Sequence, residues 1–430
     1  MKSAPALMPE PTLHIAIPAM NEAEWLPSTI RHILQEYTPN THIWVCVNQP
    51  ESYHQDPAQE PICENNARTL NYLGGLGVSN LHILDHSSPG KGWTGKRQGV
   101  GQARKTLMDS IVREADAHDL IVSMDADTLF DPGYLESIQA CFRRHPEAVA
   151  LSNPYYHCLT GTTDLDRAML RYEIYMRHYA INMWRIGSPY SFTALGSAIA
   201  VPVHAYRKAG GMTAKKSGED FYFLQKLRKT GWICNHNTHK VYPGTRYSDR
   251  VFFGTGPALI KGSRGDWDSY PIYSHELFDQ VGETIRRYAE LYEGSVETPM
   301  SAFLRTQFRE DDPFEPLRRN AAGQARFLQA CHEKIDGLRQ LQFLKSSSRM
   351  TNTPDEAMLL RFFETHAPAL LVPGKESTNK KAFFNRDELA GMRNLDFARS
   401  PLPLLDKIRN ALAQIEVTYQ EKDASRRGVE

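Results

Sequence analysis

Residues 119–127 read DLIVSMDAD, followed by TLFDPGYL through residue 135. An apolar run meets two carboxylates, Asp125 and Asp127, with one residue between them. A short apolar run bounded by polar residues reads as a buried strand. Two charges left alone at a strand end repel, so they need a cation, a set of donors or water. On an extended chain, positions i and i+2 point the same way. Two carboxylates so placed suit a hard divalent ion such as Mg²⁺ or Mn²⁺, which takes oxygen ligands. The competing reading is a turn, because Asp and Thr after a strand often cap a loop and Asp131-Pro132-Gly133 follows.

Working outward, three earlier apolar runs have the same character: LHIAIPAM (13–20), HIWVCVN (42–48) and NLHILDH (80–86). Between them lie helix-compatible segments, EAEWLPSTIRHILQEY (22–37), NNARTLNYLGGLG (65–77) and GQARKTLMDSIVREAD (101–116). Strands alternating with helices predict βαβ units, hence an α/β fold with a mainly parallel sheet flanked by helices. Each strand ends in polar residues: Asn21 and Glu22, Asn48 and Gln49, Asp85 and His86, Asp125 and Asp127. In open sheets of this type ligands gather at the carboxyl ends of the strands, so the order of residues implies a ligand crevice.

Downstream the pattern loosens. VALSNPYYH (149–157) is compatible with a strand, and DLDRAMLRYEIYMRHYAINMWRIG with a long helix. FTALGSAIAVP (192–202) is small and apolar. SGEDFYFLQKLRKTG (217–231) has a helix start, with Ser217 as cap, acids in the first turn and Gly231 as stop. After about residue 270, HELFDQVGETIRRYAEL and ARFLQACHEKIDGLRQLQFL carry apolar helical faces. PLPLLDKIRNALAQI is a last helix, followed by a charged tail expected to fray. The expected division is an α/β domain over 1–268 and a mostly helical region over 269–430.

Composition narrows the function. The chain has 430 residues, with 50 Lys and Arg against 50 Asp and Glu, so the basic excess of nucleic-acid binders is missing. No signal-peptide core and no run of about 18 apolar residues occurs. The six cysteines are scattered without a CxxC pair and read as reduced thiols. A cytoplasmic location follows, with surface docking to a membrane through an amphipathic helix left open.

Four groups of residues carry chemistry. Asp125 and Asp127 form the first. Glu219 and Asp220 form the second, either acids favoured by a helix dipole or a base that takes a proton from an attacking hydroxyl. The third is SSPGKGWTGKRQGVGQARK (87–105), whose amides and cations, Lys96 among them, suit phosphate oxygens. It matches neither a P-loop nor a GxGxxG, and a solvated loop is the alternative; Arg104, on the helix, is the better placed cation. The fourth, HNTHKVYPGTRYSDRVFFGTG (236–256), holds His239, Arg246 and Arg250, able to clasp a phosphate or an acceptor, or simply to pair with Asp249 and surface acids.

The order of IAIPAMNE, GQARKTL, SMDADT, GSAIAVPVHAYRKAGGM and SGEDFYFLQKLRKTGW resembles the family 2 glycosyltransferases of GT-A fold, over roughly residues 12–262. The resemblance implies a nucleotide-sugar donor site at Pro18, Asn21, Glu22, Asn48, Lys96, Arg104, Asp125, Ala126 and Asp127. It implies Mg²⁺ or Mn²⁺ on Asp125 and Asp127, with His239 as a candidate third ligand, and a base at Asp220 beside Glu219. Gly196, Arg246 and Arg250 are candidates for acceptor or phosphate contacts. The chain departs from the family at Asn48, where an Asp commonly holds the base of the nucleotide, and in a longer Gly/Lys loop at 88–99. The implied reaction is transfer of a sugar to an unidentified hydroxyl with inversion. A retaining GT-A enzyme making a small glycoside, a nucleotidyltransferase and a non-catalytic binding protein are the rivals. The nucleotidyltransferase is disfavoured because PAMNEAEW, after the first strand, lacks the Gly-rich loop.

Overall fold

A computed structural model describes residues 10–95, 98–248, 254–349, 353–372 and 383–427. The strands are β1 (Leu13–Ala19), β2 (Thr41–Asn48), β3 (Leu81–His86), β4 (Leu120–Ser123), β5 (Leu129–Phe130), β6 (Ala148–Ser152), β7 (Ile199–Pro202), β8 (Trp232–Cys234) and β9 (Val241–Tyr242). The first seven helices are α1 (Leu26–Gln35), α2 (Glu60–Gly74), α3 (Val100–Glu114), α4 (Tyr134–Arg144), α5 (Thr163–Arg185), α6 (Val203–Lys208) and α7 (Glu219–Arg228).

Seven strands form one sheet in the order β3-β2-β1-β4-β7-β6-β8. All neighbours are parallel except β7, which runs antiparallel to β4 and β6. The mainly parallel sheet flanked by helices expected from the sequence is therefore present. Continuous apolar runs suit strands covered on both faces, and β1 and β4 are buried along their whole length. Pro18 sits where it does least harm. It has no N–H to give, and the β1–β4 ladder pairs only Leu13–Ala16 with Leu120–Ser123. Past that point β1 pairs with β2 alone.

The chain divides into two compact units. The first comprises Met1–Thr160, Ala194–Pro257 and Glu421–Glu430, and the second Gly161–Thr193 and Ala258–Gln420. Beside the division expected at 268, α5 joins the helical unit. The reason is its amphipathy in reverse: it buries apolar residues on several sides. Leu170, Ile174 and Ile181 of α5 pack with Phe362, Phe363 and Leu405 in one apolar cluster. The final helix runs Leu402–Arg427, so the tail expected to fray after 415 is helical. Glu416, in that stretch, is buried and paired with Arg177 at 2.6 Å. Among the described residues no helix is long and apolar enough to cross a membrane.

Candidate active site

The site is built in the first unit. Strand β4 ends at Ser123, earlier than the sequence suggests. The Met124 N–H still donates to the Ala16 carbonyl at 3.1 Å, and then the Thr128 N–H reaches the Asp125 carbonyl at 3.2 Å and closes a turn. Asp125 and Asp127 thus lie in a turn and not on an extended strand, so they do not share a strand face as the sequence suggests. The two carboxylates point to different partners. The Ala126 carbonyl between them accepts the Thr29 hydroxyl at 2.9 Å, which ties the turn to α1.

Arg104 holds the first aspartate. Its Nη2 donates to Asp125 Oδ1 and its Nη1 to Glu219 Oε1 at 2.5 Å. Helix α3 comes this close because Gly101 has no side chain: a Cβ there would lie 2.1 Å from the Lys215 carbonyl oxygen. One turn on, Arg104 meets Glu219. A Cβ at Gly196 would lie 2.1 Å from Arg104 Nη1, so this glycine makes room for the guanidinium. Both partners of Arg104 raise its pKa against the cost of burial.

Arg246 holds the second aspartate. Its Nε lies 2.7 Å from Asp127 Oδ2, and its Nη2 donates to the buried Glu22 Oε1 at 2.5 Å. The small sheet explains the meeting. Leu129 of β5 pairs with Tyr242 of β9, which brings residues just after Tyr242 alongside the residues just before Leu129. Gly244 fits there because it is glycine: a Cβ would lie 2.6 Å from Asp127 Oδ2. Trp25, half exposed, lies under the Arg246 guanidinium at 5.5 Å.

Helix α7 begins after Gly218, not Ser217, because the residue before it takes φ 68°, which suits glycine. Glu219 and Asp220 then part company. Glu219 is buried on Arg104. Asp220 is half-buried, and its Oδ1 accepts the Phe221 N–H at 2.7 Å. Burial first, and then the adjacent Glu219 charge, push Asp220 up to about 7, while Arg104 and the Phe221 N–H oppose them. A carboxyl poised near neutrality beside cationic and metal-suited groups is what proton abstraction requires.

The remaining expected residues are placed as follows. Asn21 takes φ 60°, and its N–H donates to Asn66 Oδ1 at 2.9 Å. Asn48 is buried: its Nδ2 donates to the Ala19 carbonyl at 3.1 Å and its Oδ1 accepts Trp93 Nε1 at 3.4 Å. The loop read as an anion cradle uses its amides on the chain's own acids. Glu51 accepts the Gly90 and Gly92 N–H groups at 2.8 and 2.7 Å, and Asp85 accepts those of Ser87 and Ser88, both at 3.0 Å. His239 is not brought to the aspartates. Its Nδ1 is 2.8 Å from Thr238 Oγ1, its ring faces Gly133, and it forms no three-ligand group with Asp125 and Asp127 among the described residues. Lys96 and Arg250 lie outside the described residues.

Sequence reasoning missed Trp25, Gly101 and Gly244. An aromatic three residues past Glu22, at the mouth of an inferred crevice, was a usable signal for Trp25. The two glycines carry none in a single sequence, since their role lies in side chains far along the chain.

Residues 120–307 match the model of the glycosyl transferase family group 2. Over that segment the chain is similar to the family 2 glycosyltransferases. That segment spans Asp125, Asp127, Glu219, Asp220 and Arg246, while Glu22 and Arg104 precede it and are added by the geometry. The sheet is the one the GT-A resemblance leads one to expect. Among curated proteins no sequence matches the chain. Two solved structures illustrate the similarity. One is TarS 1–349 of S. aureus in complex with UDP-GlcNAc, 11% identical, covering 96% of this chain and 92% of that one with a TM-score of 0.39. The other is the mannosyltransferase PcManGT of Pyrobaculum calidifontis in complex with GDP-Man and Mn²⁺, 12% identical, covering 95% and 87% with a TM-score of 0.33. Scores this low carry no donor, metal or acceptor over to this chain.

Proposed function

We propose that this glycosyltransferase moves a sugar from a nucleoside-diphosphate donor to a hydroxyl acceptor with inversion at the anomeric carbon. The observation that carries the reading is Arg104, which joins Asp125 to Glu219 and so fixes the turn of the two aspartates beside Asp220. Asp220, near pH 7 half ionised, takes the proton of the acceptor hydroxyl as its oxygen attacks the anomeric carbon. The bond to the diphosphate oxygen breaks on the opposite face, and the nucleoside diphosphate leaves.

The charge balance of the site fits a divalent cation. Among the described residues, Glu22, Asp125, Asp127, Glu219 and Asp220 are five carboxylates against the two guanidinium groups of Arg104 and Arg246, an excess of three negative charges, or two with Asp220 protonated. An all-oxygen donor set favours Mg²⁺ or Mn²⁺. Held by Asp125 and Asp127, such an ion would neutralise charge on the departing diphosphate. Arg246 adds a fixed cation at the same place, and Trp25 offers a flat face beside it. Asn48 is occupied within the chain, so its substitution for Asp leaves the base of the nucleotide to other groups.

The test is the anomeric configuration of the first-formed product, followed by NMR with a panel of nucleotide sugars and simple alcohol acceptors. Inversion is expected. Retention would remove Asp220 as base and favour the retaining reading.

A further inference from the structure

The helical unit contains a second group of side chains able to hold a metal. His275 and Asp279 stand four residues apart on the helix His275–Arg286 and so share a face. His366 is the last residue of the helix Asp355–His366. One nitrogen from each imidazole and one Asp279 oxygen all lie within 4.8 Å of one another. The two rings meet edge to face with centroids 4.8 Å apart. His366 Nε2 is buried and has no hydrogen-bond partner, an expensive state for a polar atom. Asp279 is half exposed and its Oδ1 accepts from Arg185 Nη1, and Arg185 Nη2 donates to the His275 carbonyl at 3.0 Å. The second carboxylate oxygen is left for a ligand while the first is oriented, the usual arrangement around a metal-binding carboxylate.

From this cluster we infer that His275, Asp279 and His366 bind a divalent transition ion of borderline softness, Zn²⁺ above all, with the fourth position open to water. Two imidazoles and a carboxylate are a zinc donor set, whereas Mg²⁺ and Mn²⁺ prefer oxygen. Around tetrahedral zinc, bonds of about 2.0–2.1 Å put ligand atoms roughly 3.3 Å apart. The group must therefore close by at most about 1.5 Å, which side-chain rotation provides. The exposed edge of Asp279 gives the ion a way in. Bound there, it joins the start of one helix to the end of another across residues far apart in sequence.

The test uses the full chain, stripped with EDTA and titrated with ZnCl₂ or CoCl₂ alone, comparing wild type with His366→Ala, Asp279→Asn and Asp127→Asn. Wild type and Asp127→Asn should each retain one zinc after dialysis and show the d–d absorption of four-coordinate cobalt. His366→Ala should bind zinc more than about 100-fold more weakly, beyond the loss typical of outer partners. Asp279→Asn, milder for folding, should weaken it in the same direction. Wild type without stoichiometric zinc overturns the inference. So does zinc that persists in both His366→Ala and Asp279→Asn, or zinc that is lost only in Asp127→Asn.

Discussion

Asp220 is a carboxylate whose neighbours fight over its proton. Burial and Glu219 push it up to about 7, and Arg104 pulls the other way. As the proposed base it would work only when ionised, so kcat/KM should rise with pH through a single ionisation near 7. Replacing Glu219 by Gln removes the like charge and should move that limb to lower pH. Stability has the opposite sign. A folded pKa above the unfolded value of about 3.9 means the native state holds the extra proton. Stability should therefore fall as pH rises from about 4 to about 7, and flatten above. Asp220→Asn should abolish that dependence, keep donor binding, and lose transfer by about 10²–10⁴-fold; equal loss of binding would make Asp220 structural. Arg246 is poised differently, since it already neutralises Asp127 and Glu22. Arg246→Gln should tighten nucleotide-free Mn²⁺ binding roughly tenfold by removing a neighbouring positive charge, while donor KM rises. Calorimetric titration checks the first and steady-state kinetics the second; unchanged Mn²⁺ affinity would place the ion away from Asp127.

At the scale of elements, periodicity revealed what is local. The buried strands β1, β2 and β4, the helices between them, and the acids that open α7 all follow from neighbouring residues. What was hidden depends on partners far along the chain. Strands β5 and β9 are two residues each, too short for any pattern, yet their pairing takes Arg246 to Asp127. The two aspartates were thus readable as residue types, while their arginine clasp was not. Helix α5 makes the same point. Its Glu173 accepts Arg177 Nε at 2.9 Å and faces Arg409 Nη1 at 3.3 Å, and Arg177 Nη1 reaches Glu416 Oε2 at 2.6 Å, 239 positions away. In sequence these look like ordinary surface charges of a helix; in the fold all four are buried. Removing one partner of such a network leaves a buried charge uncompensated, whereas removing a matched pair does not. Arg177→Met should cost about 3–5 kcal/mol in urea unfolding by stranding Glu416. Adding Glu416→Leu should restore most of it, because Glu173 keeps Arg409. A double variant as unstable as the sum of two singles would show that the network is a stability source in itself.

For the whole molecule, a formal net charge of zero hides two local concentrations of metal-suited groups of different chemistry. The first unit gathers carboxylate oxygens around two arginines, and the second gathers two imidazoles and one carboxylate. Only the first was legible, because its aspartates sit one residue apart. The second is assembled from residues 275, 279 and 366, and the separation of His366 from the other two leaves no motif. Hard and borderline ions should therefore sort between the units. A ligand at 100 times its Kd adds about 2.7 kcal/mol to the state that binds it, and the amides that must open to release it exchange more slowly. With Mn²⁺ and UDP or GDP, hydrogen exchange should slow in 119–128 and 219–228 and stay unchanged in 355–366. With Zn²⁺ alone, it should slow in 275–286 and 355–366 and stay unchanged in 219–228. Exchange measured by mass spectrometry on the full chain distinguishes the two patterns. Zinc that protects 119–128 in preference to 355–366 would mean that the oxygen site takes both ions, and the separation by ligand chemistry would fail.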